Sequence, residues 1–111
     1  MIVRPSDFDA LQRDGVSSGT PIIGVRVRRT GLAETRFGIS TSKRVGNAVV
    51  RNRARRRIRE VLRASLHRMT PGWDVLVVAR PPIVAADHAA LTATIERLLL
   101  KRGVIARAED A

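Results

Sequence analysis

The sequence predicts an α+β fold, a two-layer sandwich of helices on a small sheet. Three observations carry that expectation. Residues 21–29 and 36–42 alternate apolar and polar side chains as strands do. Residues 43–70 and 88–102 place apolar side chains at helical spacing. Between these two segments, residues 73–80 form a short apolar run closed off by Pro71-Gly72 and Pro81-Pro82.

Taken in order, Ser6 to Asp14 reads as a short helix, with Ser6 as N-cap, Asp7 and Asp9 near the positive helix end, and Gly15 as the stop. Phe8 and Leu11 mark one face. A Ser/Gly loop is expected next. In Pro21 to Arg29, Ile23, Val25 and Val27 oppose Ile22, Gly24, Arg26 and Arg28, so one face is wet and basic. Residues 30–34 read as a turn. In Arg36 to Ser42, Phe37, Ile39 and Thr41 oppose Arg36, Gly38, Ser40 and Ser42, and the two strands are expected to pair as an antiparallel hairpin. The basic segment that follows is expected to stay helical to about Thr70. In Trp73 to Arg80 the residues Val75 to Val78 are apolar on both faces, which predicts a central strand. Asp87 caps a last helix over His88 to Arg102, buried through Leu91, Ile95, Leu98 and Leu99 and stopped by Gly103. The resulting order is helix, two strands, helix, strand, helix.

Length and charge narrow the function. A chain of 111 residues suits one domain, 1–111, with fraying expected only over Ala106 to Ala111. The absence of cysteine excludes a disulfide scaffold and suits a reducing compartment. No signal peptide or apolar run near the roughly 20 residues of a membrane span is found, so a soluble cytoplasmic protein without a membrane partner is expected. A formal net charge of +11 implies attraction to nucleic acid that weakens with salt.

That charge is concentrated. Residues 43–68 hold ten of the twenty-one Lys and Arg residues and a single acid, Glu60. With Ile58 set to zero and about 100° per residue, Val50, Ala54, Val61, Leu62, Ser65 and Met69 fall within about 80° of it. That stripe should be buried. Arg53, Arg56, Arg57, Arg59 and Arg63 take the other arc, and with Lys43, Arg44 and Arg55 they supply candidate nucleic-acid contacts. Arg51 falls only about 20° from the stripe centre, where its charge cannot be buried unpaired, which suggests a groove at that end. Asn52 beside it can donate and accept to a base edge or sugar.

The sequence holds no catalytic constellation of side chains. Asp7 and Asp9 are explained by capping a first helical turn, while His67 and His88 lie in separate helices without ligand spacing. Ser40 and Ser42 lack a base or an elbow motif. Phe8, Phe37 and Trp73 are the only aromatic residues, too few for a typical single-strand binder; Phe37 and Trp73 read as core, Phe8 as either core or a stacking platform.

Residues 36–63, RFGISTSKRVGNAVVRNRARRRIREVLR, closely resemble the bacterial ribonuclease P protein component. The resemblance rests on Ser42-Lys43-Arg44-Val45-Gly46-Asn47-Ala48-Val49, then Arg51-Asn52-Arg53, Arg56 and Ile58-Arg59, and extends more weakly from Asp7-Phe8 to the final helix. It implies a mixed sheet, with the basic helix in a left-handed crossover between parallel strands, against the usual hand. It also implies a protein subunit, one per RNA, of an endoribonuclease whose RNA uses Mg2+ to remove the 5′ leader of precursor tRNA, no cofactor being bound by the protein itself. On the same basis Arg51, Asn52, Arg53, Arg56 and Arg59 would meet the ribonuclease P RNA, with Lys43 and Arg44 adding phosphate contacts. A cleft between the first helix and the open sheet face would hold the leader, near Phe8, Gln12, Arg26, Arg28, Ser40, Arg51 and Asn52. Gln12 and Arg26 stand where the family can carry aromatic residues, so arginine contacts are expected to replace some stacking. The rival readings are a structural rRNA-binding or ribosome-assembly protein and, more remotely, a nuclease using Asp7 and Asp9.

Overall fold

The structure, a computed structural model, describes residues 5–106, with side chains from Asp9 onward. The first helix begins at Pro5, so Ser6 lies within it rather than capping it, and Ala106, expected to fray, is held by its N donating to Arg68 O at 2.9 Å. The side chains of residues 5–8 and the rest of the expected fraying, residues 107–111, lie outside the described residues. Helix α1 (Pro5–Asp14) is followed by three strands, β1 (Val16–Gly19), β2 (Ile23–Arg29) and β3 (Arg36–Thr41). Helix α2 (Ala48–Ala64), strand β4 (Trp73–Ala79) and helix α3 (His88–Arg102) complete the chain, with short 3₁₀ turns at Leu66–Arg68 and Pro81–Ala85.

The strands form one mixed sheet in the order β1-β2-β4-β3, and this corrects the expected hairpin. Strands β2 and β3 do not pair. Strand β4 enters between them, antiparallel to β2 and parallel to β3, with α2 as the crossover joining β3 to β4. The physical reason lies in β4 itself. Its Val75, Leu76 and Val77 are buried on both faces, and a strand of that kind at an edge would leave apolar surface and backbone groups open to water. The expected Ser/Gly loop is also corrected: Val16 to Gly19 pair antiparallel with β2. Periodicity could not show this, because VSSG carries no apolar alternation. Strand β1 sits in the sheet through backbone pairing and through arginine donors, with Arg102 Nε bonded to Ser18 Oγ at 2.6 Å.

The basic helix is shorter than expected at both ends. Asn47 caps it, its Oδ1 accepting from Val50 N at 3.0 Å, so Lys43 to Gly46 form a turn ahead of the helix. After Ser65 the chain turns away, and Thr70 N donates to Val104 O at 2.8 Å, tying the exit of α2 to the segment after α3. Helix α3 matches expectation, with Asp87 Oδ1 accepting from Ala90 N at 2.7 Å and Gly103 left-handed at φ 80°.

Alternation divides the sheet cleanly. Ile23, Val25, Val27, Trp73, Val75 and Val77 share the main core with Ala54, Ile58, Val61 and Leu62 of α2 and Leu91, Ile95, Leu98 and Leu99 of α3. The predicted stripe of α2 is thus the buried one. Gly24, Arg26, Arg28, Leu76 and Val78 point the other way, where α1 covers only part of the face by seating Leu11 on Leu76 and Val78. Among the described residues no helix is long and apolar enough to cross a membrane.

Candidate nucleic-acid interface

Two surfaces on opposite sides of the sheet carry the candidate residues. The first is the outer arc of α2. Arg53, Arg56, Arg59 and Arg63 are exposed and make no hydrogen bond or ion pair among the described residues. They lie within about 120° of one another around the helix. Like charges three and four residues apart cost roughly a few tenths of a kcal/mol per pair unless an anion meets them. Lys43 and Arg44 are exposed in the turn just before the helix.

Other candidates on this segment have internal work. Arg57 Nη1 donates to Ile83 O at 3.0 Å and its Nη2 to Ala86 O, so this arginine fastens α2 to the 3₁₀ turn after β4. Arg55 Nη1 donates to Asn52 Oδ1 at 2.7 Å, leaving the Asn52 amide group to the outside. Arg51 is half-buried, as its azimuth implied, and its Nε is buried without a hydrogen-bond partner.

The second surface is the open sheet face, whose residues fall into cross-strand rows. Arg28, Asp74 and Arg36 form the first row, Arg26, Leu76 and Gly38 the second, Gly24, Val78 and Ser40 the third. Successive rows are about 6.7 Å apart. In the first, Asp74 is fully buried and accepts from Arg36 Nε and Nη2, both at 2.8 Å, with Arg28 Nη2 3.7 Å away. Arg28 therefore faces a carboxylate at ion-pair distance, while its Nε is buried without a hydrogen-bond partner.

Beyond that row opens a cleft of about 350 Å³, walled by α1 and β1 and reaching Arg80. Gln12 and Arg26 line it, with Leu76 and Val78 as its apolar floor. Arg26 is also structural: Nε donates to Leu11 O, Nη2 to Gln12 O and Nη1 to Ser17 Oγ, each at 2.6 Å. It closes the carbonyl end of α1, where a cation is favoured. Ser40 is exposed on the same face, on strand β3 at the edge opposite β1. Arg51 and Asn52 are not among the residues lining this cleft, because α2 packs on the opposite face.

Sequence reasoning missed Arg80 and Asp74. Arg80 Nη1 donates to Thr20 O at 2.6 Å, and its guanidinium lies over Gly19 and Gly24. A Cβ at either glycine would come within 2.6 Å or 2.9 Å of Nη2, so both glycines make room for it. The signal available was a basic residue directly after a central strand. For Asp74 the signal was a lone acid in an otherwise apolar strand.

Both surfaces present arginines, the cleft beside an apolar floor, and among the described residues no three of His, Cys, Asp or Glu converge as metal ligands. This defines a class: a small basic α+β domain whose side chains are suited to holding anions. The family model described as Ribonuclease P matches residues 1–103, and the chain belongs to that family, as a ribonuclease P protein component. Its relatives include the ribonuclease P protein component of Roseiflexus castenholzii, 35% identical over 102 residues and covering 91% of this chain and 84% of that protein. That of Ruegeria pomeroyi is 46% identical over 84 residues, covering 73% and 67%. The solved structure of the Staphylococcus aureus RNase P protein superposes with a TM-score of 0.85 at 28% identity, over 95% of this chain and 96% of that one. The Thermotoga maritima RNase P protein gives 0.80 at 25% identity, over 89% and 94%.

Proposed function

We propose that this protein binds the ribonuclease P RNA through the outer arc of α2 and the 5′ leader of precursor tRNA through the cleft on the opposite sheet face. In this reading the RNA carries out the Mg2+-dependent hydrolysis in the cytoplasm, and the protein supplies positioning and charge. The observation that carries it is the set of four exposed arginines on α2, Arg53, Arg56, Arg59 and Arg63, with no internal partner among the described residues. Guanidinium groups suit phosphate because their planar donors bind two oxygens at once. The cleft supports the second half. Its floor is apolar and glycine-lined, and Arg80 and Arg26 line it as well. His67 and His88 are both exposed, on separate elements, and neither side chain makes a hydrogen bond or ion pair among the described residues.

Reconstitution tests the proposal. Purified protein alone should leave precursor tRNA intact, whereas adding it to the cognate RNA should restore 5′ cleavage at a lower Mg2+ concentration than the RNA needs alone. RNA-independent cleavage that survives stringent purification refutes the assignment of catalysis to the RNA.

A further inference from the structure

We propose that the groove between strand β3 and the C-terminal half of α2 is a pocket for one unpaired base of the RNA held by α2. This rests on the RNA reading of that helix. The groove encloses about 280 Å³, on the small side for ligand pockets and suited to one heterocycle. Its walls are Phe37 and Ile39 from β3 and Leu62 from α2, with Leu66 at the lip. Leu66 is 55% exposed, and together with half-buried Phe37 it leaves apolar surface uncovered at the outer edge of the sheet. This apolar surface is small, about the size that one flat ring would cover, and it borders two arginines.

Charge decides between occupants. The only ionised groups lining the groove are Arg59 and Arg63, both exposed, with no partner among the described residues. One helical turn separates them, about 6 Å along the axis. A nucleotide brings an apolar ring face and flanking phosphates in one covalent unit, so its base can enter against Phe37 while its phosphates reach the two guanidiniums. A protein strand added to the free edge of β3 would satisfy the backbone but would have to supply its own acids. The arginines that meet the groove also belong to the arc assigned to RNA, so a strand tracking Arg56, Arg59 and Arg63 passes over its mouth.

The test titrates wild-type protein, by fluorescence anisotropy, against a labelled RNA duplex and the same duplex carrying one bulged adenine. The bulged duplex should bind roughly tenfold more tightly, in keeping with one stacked base. Leu66→Asn should remove most of that preference while leaving plain-duplex affinity and melting temperature near wild type; Phe37→Leu should also remove it, with plain-duplex affinity kept and a modest fall in melting temperature because Phe37 packs on the core. Equal affinity of wild type for both duplexes, with Arg59→Ala weakening each, overturns the pocket but keeps the RNA reading of α2. Loss of neither on Arg59→Ala overturns both. If an acidic, leucine-bearing peptide shifts the NMR signals of Leu66 and Phe37 and the bulged RNA does not, the groove belongs to a protein partner and the proposal fails.

Discussion

Replacing Asp74 by Asn tests the row that organises the open sheet face. The change preserves size but removes the charge, and it turns one acceptor into a donor facing Arg36, whose Nε and Nη2 now bond the two carboxylate oxygens at 2.8 Å. Arg28, 3.7 Å from Oδ2, loses its counter-charge as well. Breaking a buried pair from one side costs about 3–5 kcal/mol. The side chains of Arg36 and Arg28 keep 23% and 24% of their surface exposed, so water offsets part of the loss. The low end, about 3 kcal/mol, is expected, which for a chain of this size lowers the melting temperature by about 12 °C. Urea denaturation followed by circular dichroism should show a lower midpoint with an unchanged slope. A loss below about 1 kcal/mol, the size of an exposed ion pair, would refute the reasoning, because it would mean that water already satisfies both arginines. As a control, Asp74→Leu combined with Arg28→Met and Arg36→Met should recover most of the stability, since an apolar set can replace a buried ionic one.

Arg53→Ala and Arg56→Ala should each weaken binding to the ribonuclease P RNA and flatten its salt dependence by about 0.7–0.9 in log–log slope for each phosphate left unneutralised; an unchanged slope removes that residue from the interface. Arg57→Met should behave differently. Without its bonds to Ile83 O and Ala86 O the fold should be about 1–3 kcal/mol less stable, read by thermal melting, with the salt slope of RNA binding retained. Gly24→Ala should leave the fold intact, because the atom that must move is the far end of the Arg80 side chain. It should weaken leader-bearing precursor roughly tenfold through one displaced charged donor, and equal weakening of mature tRNA would place Arg80 outside leader binding.

The helical parts of this chain were legible because their signals are local. Asp87 and Gly103 mark the ends of α3, and the stripe from Val50 to Ser65 fixes which side of α2 is buried. Arg51 could be recognised as anomalous from azimuth alone, and the structure finds it half-buried. Strand pairing was not legible in the same way. Alternation in residues 21–29 and 36–42 gives each strand two faces but says nothing of neighbours, and the nearest-in-sequence pairing gave way to the burial demand of β4. β1 has no apolar pattern at all, so only its pairing with β2 and the donors of Arg26 and Arg102 reveal it. The same limit applied to the site. Arginine content announced an anion-binding surface, yet it could not separate Arg53 and Arg56, which have no partner among the described residues, from Arg57 and Arg28, which hold the fold together.

The entry of β4 between β2 and β3 also sets an electrical distance. Because α2 packs on one face and the cleft opens on the other, a polyanion on the helix arc and a strand in the cleft are kept apart by the sheet and by a helix about 10–12 Å across. For the path through the surrounding solution, that spacing exceeds the screening length of about 8 Å at physiological salt. In the proposed reading the domain stands as a positively charged spacer between two negatively charged chains, its net charge of +11 offsetting their mutual repulsion. At roughly 0.01 M salt, where the screening length grows to about 30 Å, the two binding events should oppose one another, and occupancy of one surface should lower affinity at the other.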